Sequence, residues 1–343
     1  MEEIPMRAAV VTAYDQPLQI QEVPVPEPED GQVLVKIEAS GLCHTDIHAA
    51  HGDWVLQPPL PLVPGHEGVG VVERLGRGVT NLKEGDRVCI PWLGWACGTC
   101  ECCTSGWEPH CPQGRYTGYF VNGCHADYAV ASADFVARVP KGVDIFDAAP
   151  LSCAGVTTFK AVKVSGARPG DLVAVFGIGG LGHLAVQYAR LAGATVVAVD
   201  RQDSRLALAE KLGASHTVNS ANEDPTAAVQ ALGGANAAIV TSSAMASYQQ
   251  ALGALKRRGT LVAVGVPKGN DFPLPILQTL VMGWHIVPSA VGTRAELAEV
   301  LDLHAAGKTT VVRETRPLSE INEAMADVEA GKMDARLVFD VRS

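Results

Sequence analysis

The order of apolar and polar residues predicts two regions with different secondary structure. Up to about residue 150, short apolar stretches alternate with polar connections, and segments 33–37, 69–72 and 87–90 have the composition of strands. Segment 58–64 contains four prolines, which lack an amide donor and restrict the residue before them, so we expect a loop there. This first region should be rich in strands and loops.

After Cys153 the pattern changes to apolar strands that alternate with helical spacing. Five short apolar stretches have strand composition: 172–176, 195–199, 216–218, 237–240 and 261–264. Helices are predicted at 181–191 and at about 204–212, and a helix beginning near Leu318 precedes a last strand at 335–339. This alternation predicts an α/β fold with a doubly wound parallel sheet that is covered by helices on both faces.

Length and charge limit the classes of function. A chain of 343 residues is too long for one ordinary core, so two domains are expected. A formal net charge of −10 argues against a nucleic-acid partner, because nothing would neutralise the phosphates. The longest uncharged run, 172–189, contains four glycines and favours a buried strand–turn–helix over a membrane span. Residues 1–5 include two acids and no apolar stretch, so we expect no secretory leader and a cytoplasmic protein.

Nine cysteines cluster along the chain and do not have the spacing of a disulfide framework. Cys97, Cys100, Cys103 and Cys111 form a C-x2-C-x2-C-x7-C pattern, in which four thiolates can surround one zinc ion. Because four sulfurs leave no open position, this zinc should be structural. Spacing alone leaves open whether Cys102 replaces Cys103 as a ligand.

A glycine-rich motif follows the predicted strand 172–176 and opens the next helix, which is the context of a dinucleotide-binding loop. Its residues are Gly177, Gly179, Gly180, Leu181 and Gly182. Asp200 ends the following strand, where a carboxylate accepts the ribose hydroxyls of NAD and repels the 2′-phosphate of NADP. The sequence therefore predicts NAD, although the adjacent Arg201 could weaken that repulsion.

Cys43, His66 and Cys153 lie far apart, so their spacing does not identify a site. Together with their neighbours, however, segments 41–48, 52–54, 65–70, 91–92 and 153–158 resemble the zinc-dependent alcohol dehydrogenases of the medium-chain dehydrogenase/reductase superfamily. The likeness is strongest to the yeast and bacterial tetrameric branch, and it extends from about Arg7 to Asp340. It implies a homotetrameric oxidoreductase that acts on a small alcohol or aldehyde.

The resemblance also implies the division of the chain. Residues 1–152 and 292–343 would form a discontinuous, mostly β, GroES-like catalytic domain, and residues 153–291 a Rossmann NAD-binding domain.

The resemblance assigns a second, catalytic zinc to Cys43, His66 and Cys153, with a fourth position open to the alcohol. The ion would lower the pKa of the bound alcohol, so that the alkoxide can transfer hydride to NAD. Thr45 and His48 would pass the proton to water, with His51 as a competing candidate. Asp46 would orient the other nitrogen of His66, and Glu67 would lie beside the metal.

Further contacts are implied by the resemblance alone. His44 and Arg336 would meet the pyrophosphate, and Arg205 the adenosine ribose. The nicotinamide would be held by residues from three segments: Thr157, Val264, Ser289 and Val291.

The substrate pocket would be narrowed by Trp54 and Trp92, which favours short-chain primary alcohols and their aldehydes. Val266 would widen the inner pocket, so aryl or allylic alcohols are the alternative substrates. An alternative hypothesis from another functional class is a non-catalytic zinc protein of the same fold with a structural or regulatory role. Such a protein would be expected to have lost a ligand or relay residue.

Overall fold

The computed structural model describes residues 5–267 and 271–343, which form two compact units. One unit comprises Met1–Val156, Val291–Gly307 and Val311–Ser343, and the other comprises Thr157–Ala290 and Lys308–Thr310. Residues 1–4, on which the leader prediction rests, lie outside the described residues. Within the described ranges, no helix combines the length and the apolar character needed to cross a membrane.

The first elements in chain order are strands connected by short helices. They are β1 (Pro5–Val10), β2 (Gln19–Pro24), β3 (Gln32–Leu42), α1 (His44–His51), β4 (Gly68–Leu75), β5 (Arg87–Ile90), β6 (Leu93–Trp95), α2 (Glu101–Thr104), a 3-10 turn (Glu108–His110), β7 (Arg115–Tyr116), β8 (Tyr128–Ser132), β9 (Ala137–Arg138), α3 (Ile145–Pro150) and a π-helical turn (Leu151–Gly155). The predicted loop at 58–64 is confirmed, since it contains neither a helix nor a named strand.

Strands and helices then alternate, as the pattern predicts. The elements are α4 (Val156–Ser165), β10 (Leu172–Phe176), α5 (Gly182–Leu191), β11 (Thr195–Asp200), α6 (Asp203–Lys211), β12 (His216–Asn219), α7 (Pro225–Ala231), β13 (Ala235–Val240), α8 (Met245–Ala254), β14 (Leu255–Ala263), α9 (Ile276–Met282), β15 (His285–Pro288), α10 (Arg294–Ala305), β16 (Arg313–Pro317), a 3-10 turn (Leu318–Glu320), α11 (Ile321–Glu329) and β17 (Arg336–Asp340).

The first unit is built on a mixed, seven-stranded sheet. Its strand order is β16-β17-β3-β4-β5-β9, and β8 also pairs with β3. β3 is central because β4 covers one edge while β8 and β17 share the other. Val33, Val35 and Ile37 of β3 are buried in the core that this sheet forms. The ends of β3 and β4 are therefore rigid supports for whatever side chains follow or precede them.

The second unit confirms the predicted parallel sheet. Its six strands pair in the order β12-β11-β10-β13-β14-β15, and all five pairings are parallel. β10 and β11 are almost entirely buried, since parallel strands are covered on both faces. The chain order reverses direction at β10, and ligands of such sheets bind outside the carboxyl ends of the strands at this point.

Candidate functional site

Cys43 and His66 are brought together by the pairing of β3 with β4. Ser40 near the end of β3 is paired with Gly68 at the start of β4, and the Gly41 amide donates to the Glu67 carbonyl across 3.0 Å. A Cβ atom on Gly41 would lie 2.0 Å from the Glu67 carboxylate, so only glycine fits there. Two residues that are distant in sequence thus lie beside each other at one end of the sheet.

Cys153 reaches the same place from the buried π-helical turn that connects α3 to α4. Such turns are rare and frequently lie at functional sites. One ligand atom from each of Cys43, His66, Glu67 and Cys153 lies within 4.8 Å of the others, and all four residues are buried. Nε2 of His66 is buried and has no hydrogen-bond partner among the described residues. Two thiols and a free imidazole nitrogen are a donor set that suits zinc.

Asp46 organises this group from the first turn of α1. Its Oδ1 accepts the His66 Nδ1–H across 3.0 Å, which leaves Nε2 free for a metal, and its Oδ2 accepts the Cys43 amide across 2.8 Å. Burial alone would raise the pKa of Asp46, but the charge of His66, the nearby ring of His125 and the hydrogen bond from His66 hold it below its usual range. Asp46 was predicted from the sequence, but His125 and its partner Ser40 were not, because no local motif marks either residue.

The thiol of Cys43 is set up to ionise. A hydrogen bond from Cys153 and the charges of His66 and Arg336 hold the pKa of Cys43 well below its usual range, although burial opposes this shift. A thiolate is the form that binds metal, and the electrostatics favour it at Cys43. The hydrogen bond to Cys43 and burial instead raise the pKa of Cys153, so the proton is held on that thiol.

Glu67 and Arg336 form a buried ion pair behind the cysteines. Nη2 of Arg336 lies 2.5 Å from both carboxylate oxygens of Glu67 and donates to the Leu42 carbonyl across 2.9 Å. Burial raises the pKa of Glu67 to about 7, against the opposing charge of Arg336. Nε of Arg336 is buried without a hydrogen-bond partner in the described part of the chain, so the predicted pyrophosphate contact stays a prediction.

The structure separates the two candidates for the proton relay. Thr45 Oγ1 lies 3.7 Å from the Cys43 sulfur, and His48 follows one turn later on α1. His48 Nδ1 lies 3.0 Å from Asp53, and its ring stacks on Trp54. Both ring nitrogens of His51, by contrast, are paired with carboxylates, at 2.6 and 3.0 Å. His48 thus pairs with one carboxylate and His51 with two, and the relay role of His48 stays a prediction. His44 is exposed on the first turn of the same helix.

A cluster of aromatic side chains packs against the imidazole of His66. The ring of Trp92 meets that of His66 edge-on at 5.0 Å, and Tyr119 lies between Trp92 and Trp54, at 5.7 and 5.2 Å. Tyr119 was not predicted from the sequence, although aromatic residues recur at 116, 119 and 120. Both predicted tryptophans thus lie in one cluster at the metal-binding group.

Val291 and Val266 lie in different settings. Val291 has φ 40°, an outlying conformation for a β-branched residue, and it lines a small cavity with Trp92. Val266 belongs to the second unit and is 45% exposed, so its role in the pocket stays a prediction.

The four-cysteine group is also assembled. The sulfur of Cys103 lies 3.5 Å from that of Cys100 and 3.9 Å from that of Cys97, and Cys111 completes a set of four ligand atoms within 4.8 Å of one another. Cys102 is not in this set, among the residues that the structure describes. The geometry therefore favours Cys103 as the fourth ligand of a structural zinc.

Three positions in the loop after β10 favour glycine, each for a different reason. Gly177 has φ 95°, which suits the tight turn. A Cβ on Gly179 would meet no protein atom within 4 Å, whereas one on Gly182 would lie 1.9 Å from the Gly177 carbonyl oxygen. An open side for the pyrophosphate and close packing of helix on strand are the features that a dinucleotide loop needs. Gly180 and Leu181 complete the loop, and Leu181 is the N-cap of α5.

Asp200 is buried at the end of β11 and is tied to this loop. Its Oδ2 accepts the Ile178 amide across 2.6 Å, and its Oδ1 accepts the Arg201 amide across 2.7 Å. Arg205 Nη1 lies 4.0 Å from the carboxylate, while Arg201 is exposed. The carboxylate thus lies beside the glycine loop, as the ribose-binding role requires.

The remaining predicted cofactor residues of the second unit lie near strand ends or at the start of α4. The hydroxyls of Thr157 and Ser289 are buried, and within the described ranges neither has a hydrogen-bond partner. The amide of Val264 donates to the Val240 carbonyl across 3.2 Å. Their contacts with the nicotinamide remain predictions.

Comparisons with known proteins agree with this geometry. Two family models match: the alcohol dehydrogenase GroES-like domain over residues 29–141 and the zinc-binding dehydrogenase family over residues 180–306. The chain is similar to an alcohol dehydrogenase from Geobacillus stearothermophilus, at 50% identity over 338 residues, which covers 98% of this chain and 99% of that one.

Solved structures lead to the same family. The alcohol dehydrogenase of Aeropyrum pernix superimposes with a TM-score of 0.91 at 36% identity, covering 97% of this chain and 99% of that one. The acetophenone reductase of Geotrichum candidum, solved in complex with NAD, gives 0.89 at 29% identity, covering 98% and 97%. With these matches and a complete set of zinc ligands, the chain belongs to the zinc-dependent alcohol dehydrogenases.

Proposed function

We propose that this protein catalyses reversible hydride transfer between short-chain primary alcohols or their aldehydes and NAD. The observation that supports this most directly is Nε2 of His66, which is buried in the group formed with the thiols of Cys43 and Cys153 and has no hydrogen-bond partner in the described part of the chain. Zinc bound there would act as a Lewis acid on the oxygen of the substrate, while NAD would accept or return the hydride. The Cys97, Cys100, Cys103 and Cys111 group would hold the structural zinc.

The residues of α1 would move the proton. Thr45, next to the Cys43 sulfur, would hydrogen-bond the substrate hydroxyl, and His48 would exchange the proton with water. The partly exposed side chain of His48 supports this role, because exchange needs contact with solvent.

The cofactor proposal is based on the second unit. The open side of Gly179 leaves room for a pyrophosphate, and the carboxylate of Asp200 would favour the ribose hydroxyls of NAD over the phosphate of NADP. We further propose that His44 and Arg336 meet the pyrophosphate, Arg205 the adenosine ribose, and Thr157, Val264, Ser289 and Val291 the nicotinamide. The division into domains 1–152 with 292–343 and 153–291 is part of the same proposal, and the two compact units support it.

Bulky rings beside the metal ligands favour small substrates. Trp92 packs directly against His66, so a ligand of this zinc would share its space with an indole. Aryl or allylic alcohols remain the second candidate because the family resemblance would place the small side chain of Val266 at the inner pocket. A difference of one or two methylenes changes discrimination by only about 1–3 kcal/mol, so measurement must decide.

A homotetramer in the cytoplasm is the proposed state of the protein. In the described residues β15 pairs only with β14, so one sheet edge is open, and next to β15 in the chain α9 exposes Ile276, Leu277 and Leu280 by 62–76%. Such an apolar surface is suited to contact with another copy. Nine cysteines without a disulfide agree with a reducing compartment.

The decisive experiment combines metal analysis with NAD reduction on one purified sample. Two zincs per chain with ethanol-dependent NADH formation would support the proposal, and activity with benzyl alcohol but not ethanol would favour the second candidate. Cys43→Ala should lose one zinc and turnover while NADH still binds, whereas the buried Cys89→Ala serves as the matched control with both zincs. Normal turnover of Cys43→Ala would refute the assignment of the catalytic zinc.

A further inference from the structure

The carboxylate of Asp46 is surrounded by more donors than its role toward His66 requires. Its Oδ1 accepts from the Gly65 amide at 3.1 Å and from His66, and its Oδ2 accepts from the Cys43 amide. On the remaining side, Nε2 of His125 lies 3.6 Å from Oδ2. Two carboxylate oxygens offer about four lone-pair positions, and Nε2 of His125 faces the one that these three donors leave.

His125 is held in this position by contacts on every side. Its side chain is fully buried, and Nδ1 lies 2.9 Å from the hydroxyl of Ser40. Its ring meets that of Phe339 edge-on at 5.3 Å, and its amide donates to the Pro64 carbonyl. A Cβ on Gly65 would lie 2.8 Å from the imidazole, so the neighbouring backbone is shaped around the ring.

The hydrogen-bond partners determine which nitrogen of His125 has the proton. A bare Nε2 would direct its lone pair at a buried carboxylate, which is unfavourable. The hydroxyl of Ser40 can donate to Nδ1, and Nε2–H then points toward Asp46. Because Nε2 has no partner within ordinary hydrogen-bond distance in the described chain, Asp46 is the acceptor that it faces.

We propose that His125, supported by Ser40, is a positioning residue for the catalytic zinc, because it fixes the carboxylate that holds both the Cys43 backbone and the His66 ring. This inference rests on the proposed function, since it concerns the same metal. Without His125, one oxygen of Asp46 would lose a donor and the carboxylate could rotate away from both ligand segments. Loss of a direct partner of a ligand typically weakens metal binding roughly 10- to 100-fold, and we expect the effect of His125, one contact further from the metal, to lie at the lower end of that range.

The test measures how fast zinc leaves the fully loaded protein to a chromogenic chelator. His125→Phe keeps a buried ring but removes the donor, whereas His125→Gln keeps an N–H group near the position of Nε2. We expect His125→Phe to release one zinc roughly 10-fold faster, His125→Gln to stay near the wild-type rate, and the other zinc to be unaffected. Zinc release from Cys103→Ser, in which the four-cysteine group is disrupted, shows which kinetic phase of release belongs to the structural site.

A second measurement distinguishes loss of the positioning role of His125 from loss of folding in the variant. Cobalt placed in the catalytic site should show a changed visible absorption spectrum in His125→Phe and a native one in His125→Gln. Equal acceleration of both zincs, or equal behaviour of the two variants, would overturn the inference. If His125→Phe does not fold, Ser40→Ala replaces it, and an unchanged rate would count against the inference. A wild-type protein with one zinc would instead refute the proposed function itself.

Discussion

Replacing Gly179 by alanine should weaken cofactor binding without weakening the fold. The added Cβ would meet no protein atom within 4 Å, and the backbone of Gly179 is outside the left-handed region, so alanine can adopt it. A compatible glycine-to-alanine change stabilises a protein by about 0.4–1 kcal/mol, because the unfolded chain loses freedom. The melting temperature should therefore stay equal or rise slightly.

The effect on NADH follows from the space that the methyl group fills. If the pyrophosphate approaches the backbone there, the methyl group would displace it and disrupt a hydrogen bond to a charged group, which is worth about 1.5–3 kcal/mol. That corresponds to an increase in the Kd for NADH of about 10- to 150-fold. Fluorescence titration with NADH measures the Kd, and thermal unfolding without cofactor measures the stability.

Gly182→Ala is the matched control, because the two glycines lie in one loop and the change is the same. Here the Cβ would lie 1.9 Å from the backbone oxygen of Gly177, so the start of α5 must shift. Overpacking of this kind costs about 1–3 kcal/mol, and this variant should melt at a lower temperature. An unchanged Kd in a stable Gly179→Ala protein would refute the argument that the pyrophosphate lies against this residue.

Four further substitutions test other parts of the structure. Cys103→Ser should remove one of two zincs and destabilise the protein, whereas Cys102→Ser should keep both; metal analysis would contradict the geometry if the two results were exchanged. Asp200→Gly should raise the activity with NADP relative to NAD, and an unaltered ratio would remove Asp200 from that role. Burial lowers the pKa of His51, but its two carboxylate partners raise it above its usual value on balance. The ion pairs therefore stabilise the fold below the unfolded pKa, and this is lost as pH rises through the folded pKa. His51→Ala should lower the melting temperature at about pH 5.5 and have little effect at about pH 9; an equal loss at both would contradict the argument.

Sequence reasoning succeeded where the determining interactions are local. The strand Leu172–Phe176, the glycine loop and Asp200 were predicted because the apolar run, the turn and the following strand lie within 30 residues. The four-cysteine group was found for the same reason, since its spacing is visible directly. Only the choice between Cys102 and Cys103 needed coordinates, because side-chain direction in a short turn depends on each dihedral angle.

The site around His66 could not be obtained this way. Its ligands were inferred from resemblance, and their proximity depends on the register of β3 with β4 and on a π-helical turn that no local pattern announces. His125 and Tyr119 were missed because each acts through a residue distant in sequence. A histidine and a tyrosine at these positions are not distinctive in the sequence, and their roles become visible only when the fold places them beside Asp46 and Trp92.

This difference in locality has a consequence for how the two zinc sites form. The structural ligands span 15 residues (97–111), whereas Cys43 and Cys153 enclose 111 (43–153). The entropic cost of closing a loop grows as (3/2)RT ln n, where n is the number of residues in the loop. Closing the longer loop in an unfolded chain therefore costs about 2 kcal/mol more. The catalytic set also has one ligand fewer. We therefore expect zinc to bind the four cysteines earlier in folding than the catalytic set, whose assembly needs the pairing of β3 with β4.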